Sequence, residues 1–349
     1  MGVFDSKHFN SEVFGKYLET VPRVKQNAFL KAGVLRNRAE LKNLLSEQVG
    51  GNYITVPMTG RIGGDALNYD GSTDITATGL ETFTQSMIVV GRSKAWVERD
   101  FTYDITGKDF MAEIAKQVGE YWDDVDQATI LSTLKGIFGV TTDNFSAKHT
   151  LDISGETTDN MVGATTLNTA LQQAAGANKS LFKLAIMHSV VATNLENLQV
   201  LKYWTETDAN GVQREVGLAT WNGRTVLIDD DVPVEEVAES ASGKNDGYTK
   251  YTTYSLGEGA FDYVDCGAKT PNETERDAKK NGGEDYLITR QRKIFAPKGF
   301  SFVQPSTPIV SPTLTQLETA ARWALVKDSA GTGYYPSKAI PFARIISRG

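Results

Sequence analysis

The chain has 349 residues, and its 43 acidic and 36 basic side chains give a net charge of -7 at pH 7. This length exceeds the roughly 250 to 300 residues at which one hydrophobic core stops growing, so we expect two packed lobes with extensions. The acidic balance argues against a protein that grips nucleic-acid phosphates through a broad basic surface, so any contact with nucleic acid should be loose and local.

A single cysteine, Cys266, excludes an internal disulfide framework and a cysteine-based zinc site, and it indicates a reducing compartment. The first residues lack the basic and apolar regions of a secretion signal, and no window reaches 18 apolar residues. Neither secretion nor a membrane span is therefore predicted.

An N-terminal arm is predicted over residues 1–50. Its basic residues between positions 23 and 42 are opposed only by Glu40. This stretch is either a solvated face or an arm that docks on the acidic surface of another copy. Its candidate contact residues are Arg23, Lys25, Lys31, Arg36 and Arg38.

A long β-hairpin loop is predicted over residues 51–102, with strands at 53–58 and 86–91. The residues between these strands are rich in glycine and threonine and poor in apolar side chains, so we expect an exposed excursion. A monomer cannot bury such an arm, which indicates that it rests on a neighbour. The candidate contact residues here are Arg61, Gly63, Gly64 and Gly71.

One long amphipathic helix is predicted over residues 107–138, because apolar residues recur there at near 3.6-residue spacing after a capping signal at Thr106 to Asp109. The opposite face of this helix is predicted to be exposed to solvent. It carries Glu113, Glu120, Asp123, Asp124 and Asp126. Divalent-cation binding by this face is a less favoured alternative, because the spacing is not that of an EF-hand. Glu120, Asp123 and Asp124 are candidate contacts between subunits.

The remainder of the chain has a mixed α and β pattern. We predict a helix at 165–175, a buried strand at 181–187, a helix that begins at a Ser189 cap, and a hairpin turn at Asn222 and Gly223. Further strands are predicted at 251–256, 286–296 and 340–347. The charged, glycine-containing stretch 270–284 is predicted to be a surface loop.

The sequence contains no constellation that predicts an active site. The histidines His8, His149 and His188 are scattered, and a helix-entry role suits the pair His188 and Ser189 better than a catalytic one. The run Asp229 to Asp231 is predicted to be a solvent-facing turn rather than a metal site, and Cys266 to be an inert small hydrophobe. We therefore predict a protein that is not an enzyme and uses no cofactor.

The order of these elements resembles that of tailed-bacteriophage major capsid proteins, whose Hong-Kong-97-type fold is shared with encapsulin shells. The nearest points of resemblance are the strand and helix start at 184–189 and the stretch 221–230, which leads from Trp221 into a strand ending in Asp229 and Asp230. The tail at 340–347 is similar to the ending of capsid proteins from phages of low-GC Gram-positive bacteria.

The resemblance implies an α+β fold with an N-terminal arm, an extended loop, a peripheral domain and an axial domain. Residues 103–159 and 285–312 would form the peripheral domain, with the helix 107–138 as its spine. Residues 160–284 and 313–349 would form the axial domain. The extended loop, 51–102, would lie over an adjacent subunit.

The function implied is that of a major capsid protein, made in the bacterial host cytoplasm and found in the virion. It would assemble with itself into pentamers and hexamers of an icosahedral shell, with portal and scaffolding proteins as partners, loose contact with packaged double-stranded DNA, and no membrane partner. Some family members carry about a hundred residues of scaffold at the N-terminus. The arm here begins almost at once, so we expect either a separate scaffolding protein or a chain that has already been trimmed, and the natural-looking Met1 favours the former.

Two alternatives remain at this point. An encapsulin-like compartment shell would share the fold and load an enzyme. A carbohydrate-active enzyme would instead use pairs of carboxylates, with Trp204, Trp221 or Trp323 as sugar platforms.

Overall fold

The computed structural model describes residues 33–42, 52–60, 62, 65–72, 74, 75, 77, 79–107, 110–207, 213–238, 247–328, 331 and 333–349. Most of the predicted basic arm, including Arg23, Lys25 and Lys31, lies outside these residues. The loop residues Arg61, Gly63 and Gly64 also lie outside them.

The described part of the chain contains sixteen strands, of which β6 to β14 follow one another without an intervening helix. They are β1 Leu35–Asn37, β2 Tyr53–Thr59, β3 Thr82–Arg99, β4 Thr150–Asp152, β5 Phe182–Met187, β6 Lys202–Thr207, β7 Gln213–Trp221, β8 Arg224–Ile228, β9 Val234–Val237, β10 Tyr248–Gly257, β11 Phe261–Asp265, β12 Asn272–Asp277, β13 Glu284–Pro297, β14 Phe300–Phe302, β15 Trp323–Leu325 and β16 Phe342–Ser347.

The helices include one that is much longer than the others. The α-helices are α1 Asp100–Thr106, α2 Phe110–Ile137, α3 Phe145–His149, α4 Thr166–Ala175, α5 Ser189–Asn197 and α6 Leu314–Glu318. Short 3-10 helices lie at Thr142–Asn144, Lys179–Leu181, Ala320–Arg322 and Ser337–Ala339.

A first sheet is organised around strand β3. Its strand order is β1-β11-β13-β3-β2, and β12 pairs with β13 beside it. The N-terminal part of β3 pairs with β2, from Thr82 opposite Thr59 to Ile88 opposite Tyr53. Its C-terminal part pairs with β13, ending at Arg99. One 18-residue strand therefore joins the loop hairpin to the sheet, whereas the sequence predicted a strand only at 86–91.

A second sheet contains most of the remaining strands. Its order is β4-β16-β10-β5-β8-β7-β6, with β9 paired to β10. The Asn222 and Gly223 turn joins β7 to β8 as predicted, and both residues have positive φ angles, 48° and 77°, which suit a two-residue hairpin. Strands β14 and β15 form a separate antiparallel pair.

The long helix α2 packs where the two sheets meet. Leu134 of this helix belongs to one buried cluster with Ile88 and Phe295 from the first sheet and with Ile186 and Tyr254 from the second. A separate cluster holds α4 and α5 against the second sheet. The shared core around α2 therefore fixes the two sheets relative to each other.

Some predicted elements differ from the structure. The long helix begins at Phe110 rather than at 107, because Gly107 adopts a left-handed conformation (φ 64°) and ends the separate short helix α1. The stretch 270–284, predicted to be a loop, contains β12, which pairs with β13. Its charged side chains can face solvent on a strand at the sheet edge, so charge alone did not distinguish strand from loop.

Two side chains also differ from their predicted roles. Asp126 was assigned to the wet face of the long helix but is buried, and its carboxylate lies 2.5 Å from Lys293 Nζ. The N-cap of α5 is His188 rather than Ser189, since His188 Nδ1 accepts a hydrogen bond from the backbone N–H of Val190 at 3.2 Å. Both outcomes depend on neighbours that the local sequence pattern does not specify.

The predicted boundaries between peripheral and axial domains stay a prediction. Strands β11 and β12 fall within the segment 160–284, which was assigned to the axial domain, and they pair with β13 in the first sheet. Strand β15 falls within 313–349 and pairs with β14.

Gly136 is required where α2 passes α6. A Cβ at this position would overlap the carbonyl oxygen of Leu317 and lie 2.5 Å from Trp323 Nε1. We expect Gly136→Ala to lower the free energy of unfolding by about 1–3 kcal/mol, because the backbone of α6 cannot yield as a flexible side chain would.

Gly119 provides the matched control in the same helix, since a Cβ there meets nothing within 4 Å. Gly119→Ala should raise the free energy of unfolding by roughly 0.5–1 kcal/mol through helix propensity. Denaturant unfolding of the unassembled chain measures both variants. Equal effects of the two substitutions would contradict the close approach of α6 to Gly136.

His149 makes stability depend on pH. It is buried, its Nδ1 lies 2.7 Å from Phe342 O, and burial, with a smaller contribution from Lys148, lowers its pKa from the ordinary 6.5. Below pH 6.5 the unfolded chain therefore binds a proton that the folded chain does not, so the free energy of unfolding should fall as pH decreases. From pH 7.5 to 5.5, we expect the free energy of unfolding to fall less in His149→Gln than in the unsubstituted protein. Denaturant unfolding at both pH values measures the difference. The same pH dependence in both proteins would contradict this assignment.

Candidate assembly surfaces

The hairpin of β2 and β3 is firmly held at its base. Gly60 N donates to Glu81 O at 2.8 Å and closes the hairpin. The buried side chain of Gln85 donates to the carbonyl oxygens of Pro297 and Phe300, each at 2.9 Å. The body of the protein therefore positions the base of residues 60–81, which we name the loop end.

Apolar side chains of the loop end are exposed. Their exposed fractions are 78% for Ile62, 46% for Leu67, 93% for Tyr69, 82% for Ile75 and 51% for Leu80. Fully burying a side chain of this size is worth about 1.5–3 kcal/mol. A concentration of exposed apolar groups on one segment is typical of a surface that another molecule covers.

The loop end is also acidic. Asp65, Asp70, Asp74 and Glu81 are exposed, and Arg61 is the basic residue that the sequence places among them. The predicted contact residue Gly71 lies here with φ 78°, a conformation that favours glycine, and nothing would lie within 4 Å of a Cβ. Any surface that receives the loop end should therefore combine apolar groups with positive charge.

A second exposed apolar surface is helix α1, at the other end of β3. None of its residues is buried, and the exposed fractions are 65% for Phe101, 53% for Tyr103 and 41% for Ile105. Isolated helices this short are marginal in water, so most helical stability comes from packing against other groups. The sequence pattern did not identify these residues as contacts, because the predicted boundary between the extended loop and the peripheral domain, at residues 102 and 103, falls within α1.

An ion-pair network holds the start of α1 against the turn between β12 and β13. Arg276 contacts the carboxylates of Asp100 at 2.6 Å and Asp285 at 2.7 Å, and Asp100 N donates to Gly283 O at 3.1 Å. The hydrogen bonds from Arg276 lower the pKa of Asp100. Helix α1 and residues 278–283 therefore lie together, and we name them the tip surface.

The acidic face predicted on the long helix is partly present. Glu120 is exposed, and Asp123 and Asp124 are partly exposed. Asp126 points inward to Lys293, and burial raises its pKa although Lys293 opposes this shift. Glu120, Asp123 and Asp124 remain predicted contact residues.

The two described candidate contact residues of the basic arm have different environments. Arg36 on β1 is exposed. Arg38 contacts Asp262 at 3.2 Å and Glu40 at 2.7 Å within its own chain. Arg36 is therefore better placed than Arg38 to reach a second copy.

The side chains that could suggest catalysis are instead hydrogen-bonded or buried within the fold. The buried Asp229 accepts a hydrogen bond from Gln127, and Asp230 accepts one from the backbone N–H of Ser189 at 3.0 Å. Burial raises the pKa of the Cys266 thiol to about 11. Among the described residues, no group of three His, Cys, Asp or Glu side chains is arranged to hold a metal ion.

Two of the three tryptophans proposed as sugar platforms are unsuited to that role, and the side chain of Trp204 lies outside the part that the structure describes. Trp221 and Trp323 are buried, with exposed fractions of 0% and 6%. A crevice of about 520 Å³ lies between α2 and the second sheet, and its lining includes the ion pairs Lys135–Glu318 at 2.7 Å and Lys250–Glu235 at 3.9 Å. Within the described ranges, no helix is both long and apolar enough to cross a membrane.

Comparison with known proteins gives a consistent result. No family model matches the chain. The major capsid protein of Bacillus phage SPP1 is 26% identical over 318 residues, which cover 91% of this chain and 92% of that protein. The capsid of Ralstonia phage GP4 superposes with a TM-score of 0.55 and 12% identity over 77% of this chain and 84% of its own. The head structure of Helicobacter pylori bacteriophage KHP40 gives a TM-score of 0.56 and 10% identity, covering 100% of this chain and 95% of its own.

The chain has the Hong-Kong-97-type capsid fold. The predicted α+β class and the resemblance to phage capsid proteins are thereby confirmed. Within this capsid fold, β2, β3 and the loop end form the extended hairpin, and α2 is the long helix at the junction of the two sheets. The relatives named here are structural capsid proteins.

The effects of the two described arginines of the basic arm, Arg36 and Arg38, can be separated by mutation. We expect Arg38→Glu to lower the free energy of unfolding by about 1–3 kcal/mol, because it leaves the largely buried Asp262 without its cation. Arg36→Glu should leave the free energy of unfolding unchanged and should reduce the yield of assembled particles. Denaturant unfolding and particle yield by sedimentation measure the two effects. An unchanged yield for Arg36→Glu would count against docking of the arm.

Proposed function

We propose that this chain is the major capsid protein of a tailed bacteriophage and forms the shell of the virion. The observation that carries the proposal is the loop end, a segment held at its base by the fold while its apolar side chains are up to 93% exposed. Similarity to the SPP1 major capsid protein over 91% of this chain supports the same role.

Assembly from identical copies follows from the position of the exposed surfaces. A closed ring needs head-to-tail contacts, in which each subunit presents two different surfaces to its neighbours. The loop end and the tip surface are two such surfaces on one chain. We infer that copies associate into pentamers and hexamers, which together form an icosahedral shell around double-stranded DNA.

The proposed domain roles follow the capsid fold. The segment 1–50 would be the N-terminal arm and 51–102 the extended loop. The segments 103–159 and 285–312 would form the peripheral domain, and 160–284 with 313–349 the axial domain. The protein would be made in the host cytoplasm and would act as a structural component rather than as an enzyme.

Further partners follow from the same role. A portal protein and a scaffolding protein would be needed to build and fill a shell of this kind. The net charge of -7 is consistent with loose, non-specific contact with packaged DNA, since a strongly basic surface would retain it. An encapsulin-like shell is not favoured, because the relatives and structures named above are those of phages.

Electron microscopy of the concentrated full-length protein tests the proposed function. We expect closed particles built from pentamers and hexamers, formed by the chain alone or together with a scaffolding protein. A chain that stays monomeric at high concentration under both conditions would overturn the proposal.

Deletion of residues 62–82 tests the role of the extended loop. The deletion joins Arg61 to Phe83 and leaves a three-residue connection, of Thr59 to Arg61, between the paired residues Met58 and Phe83. The variant should remain folded, because the described side chains that it removes are exposed, and it should form no closed particles. Circular dichroism and light scattering check folding, and microscopy checks assembly. Intact shells from this variant would contradict the role assigned to the loop.

A further inference from the structure

A partly buried pair of polar side chains lies between the long helix and the first sheet. Arg92 of β3 is directly opposite Gln291 of β13 in the antiparallel ladder. Side chains of residues that are directly opposite each other lie on the same face of a sheet. Both residues line one small cavity, whose lining also includes Trp122 and Thr129 of α2. The pair therefore lies on the face of the sheet that α2 covers.

One hydrogen-bonding atom of each side chain is buried without a partner. Arg92 Nη1 donates to Gly91 O at 2.9 Å, but Arg92 Nη2 has no hydrogen-bond partner within the part of the chain that the structure describes. The same is true of Gln291 Oε1. A direct hydrogen bond between these two atoms would satisfy both, so the side chains do not make one. Because buried polar atoms in folded proteins are nearly always paired, a further group is expected at this position.

The positive charge of Arg92 makes the missing partner costly. Burial lowers the pKa of its guanidinium, which means that the charged form is poorly solvated. Asp126, a carboxylate that lines the same cavity, is engaged by Lys293 Nζ at 2.5 Å. A buried donor that is left unpaired loses its hydration and gains nothing in exchange.

The size of the cavity and the chemistry of the two atoms define what can bind there. The cavity has a volume of about 10 Å³, and about 10–15 Å³ is the least that holds one water molecule. The occupant must accept a hydrogen bond from Arg92 Nη2 and donate one to Gln291 Oε1. A halide ion has no hydrogen to donate to Gln291, and a metal cation would be repelled by Arg92 and Lys293. Water meets both requirements and has the right size.

We propose that one water molecule is bound in this cavity and bridges Arg92 of β3 to Gln291 of β13. The water accepts from Arg92 Nη2 and donates one hydrogen to Gln291 Oε1. Thr129 also lines the cavity, and its hydroxyl, which donates to Val125 O at 2.8 Å, keeps lone pairs that can accept the second hydrogen. This proposal concerns the folded chain and is independent of the proposed function.

The bridge would add a link between side chains to the backbone ladder of these strands. The ladder runs from Glu284 opposite Arg99 to Ile294 opposite Val89, so the water lies within it rather than at an end. Water that satisfies buried polar groups is part of a protein's structure and is costly to remove. We therefore expect the same water in the unassembled chain and in assembled particles.

A structure of the full-length chain at a resolution that shows ordered water tests the site directly. We expect a density peak at about 2.7–3.2 Å from both Arg92 Nη2 and Gln291 Oε1. A cavity without a peak, or a direct hydrogen bond between the two side chains, would overturn the proposal. Replacing chloride by bromide in the buffer provides a further check, since an anomalous signal at the peak would identify a halide and would also overturn it.

Thermal unfolding of matched variants supplies an independent measurement. Arg92→Met and Gln291→Met each remove one end of the bridge and leave the other end unpaired, so each should lower the Tm by about 2 °C or more. The double variant should lower the Tm by less than the sum of the two single effects, because the second substitution has no bridge left to break.

Lys94→Met provides the control, since Lys94 lies two residues beyond Arg92 on β3 and is exposed. Its effect on the Tm should add to that of Gln291→Met. Additive effects of Arg92→Met and Gln291→Met would contradict the bridge. A structure of Gln291→Met that retained the density peak would contradict it as well, because the acceptor for the water would be absent.

Discussion

The pairing of strand β3 along both of its halves is the constraint on which the rest of the structure depends. Its hydrogen bonds to β2 position the loop hairpin, and those to β13 position the start of α1. A continuous ladder is rigid, so the exposed groups at its two ends are held apart. The chain consequently folds into a stable body and keeps apolar surface that only another molecule can cover.

The body that supports this strand is built around α2. The shared core joins Leu134 to residues of both sheets, and the close approach of α6 at Gly136 leaves no room for a side chain. A buried ion pair also holds the helix against the first sheet, since Asp126 of α2 contacts Lys293 of β13. A rigid body of this kind lets a contact made at one end of a subunit determine the position of the next subunit in a ring.

Several features could be predicted from the sequence because short-range rules determine them. Examples are the Asn222 and Gly223 hairpin, which needs positive φ angles, and the glycine-rich excursion, which lacks the apolar side chains of a core. The edge strand β12 could not be predicted, because its charged residues suit a loop equally well. Its assignment depends on β13, which follows it and supplies the hydrogen-bond partners.

The sequence by itself determined the order of the main elements and the presence of an arm that cannot bury itself, because composition and periodicity act locally, while the capsid-like fold class followed from its resemblance to phage capsid proteins. Only the tertiary structure decided that Arg38 is engaged by Asp262, that Asp126 points inward, and that α1 is left uncovered beside Lys280. These outcomes depend on which segments the folded sheets bring together. A residue's exposure is therefore a property of distant neighbours, and no local pattern specifies it.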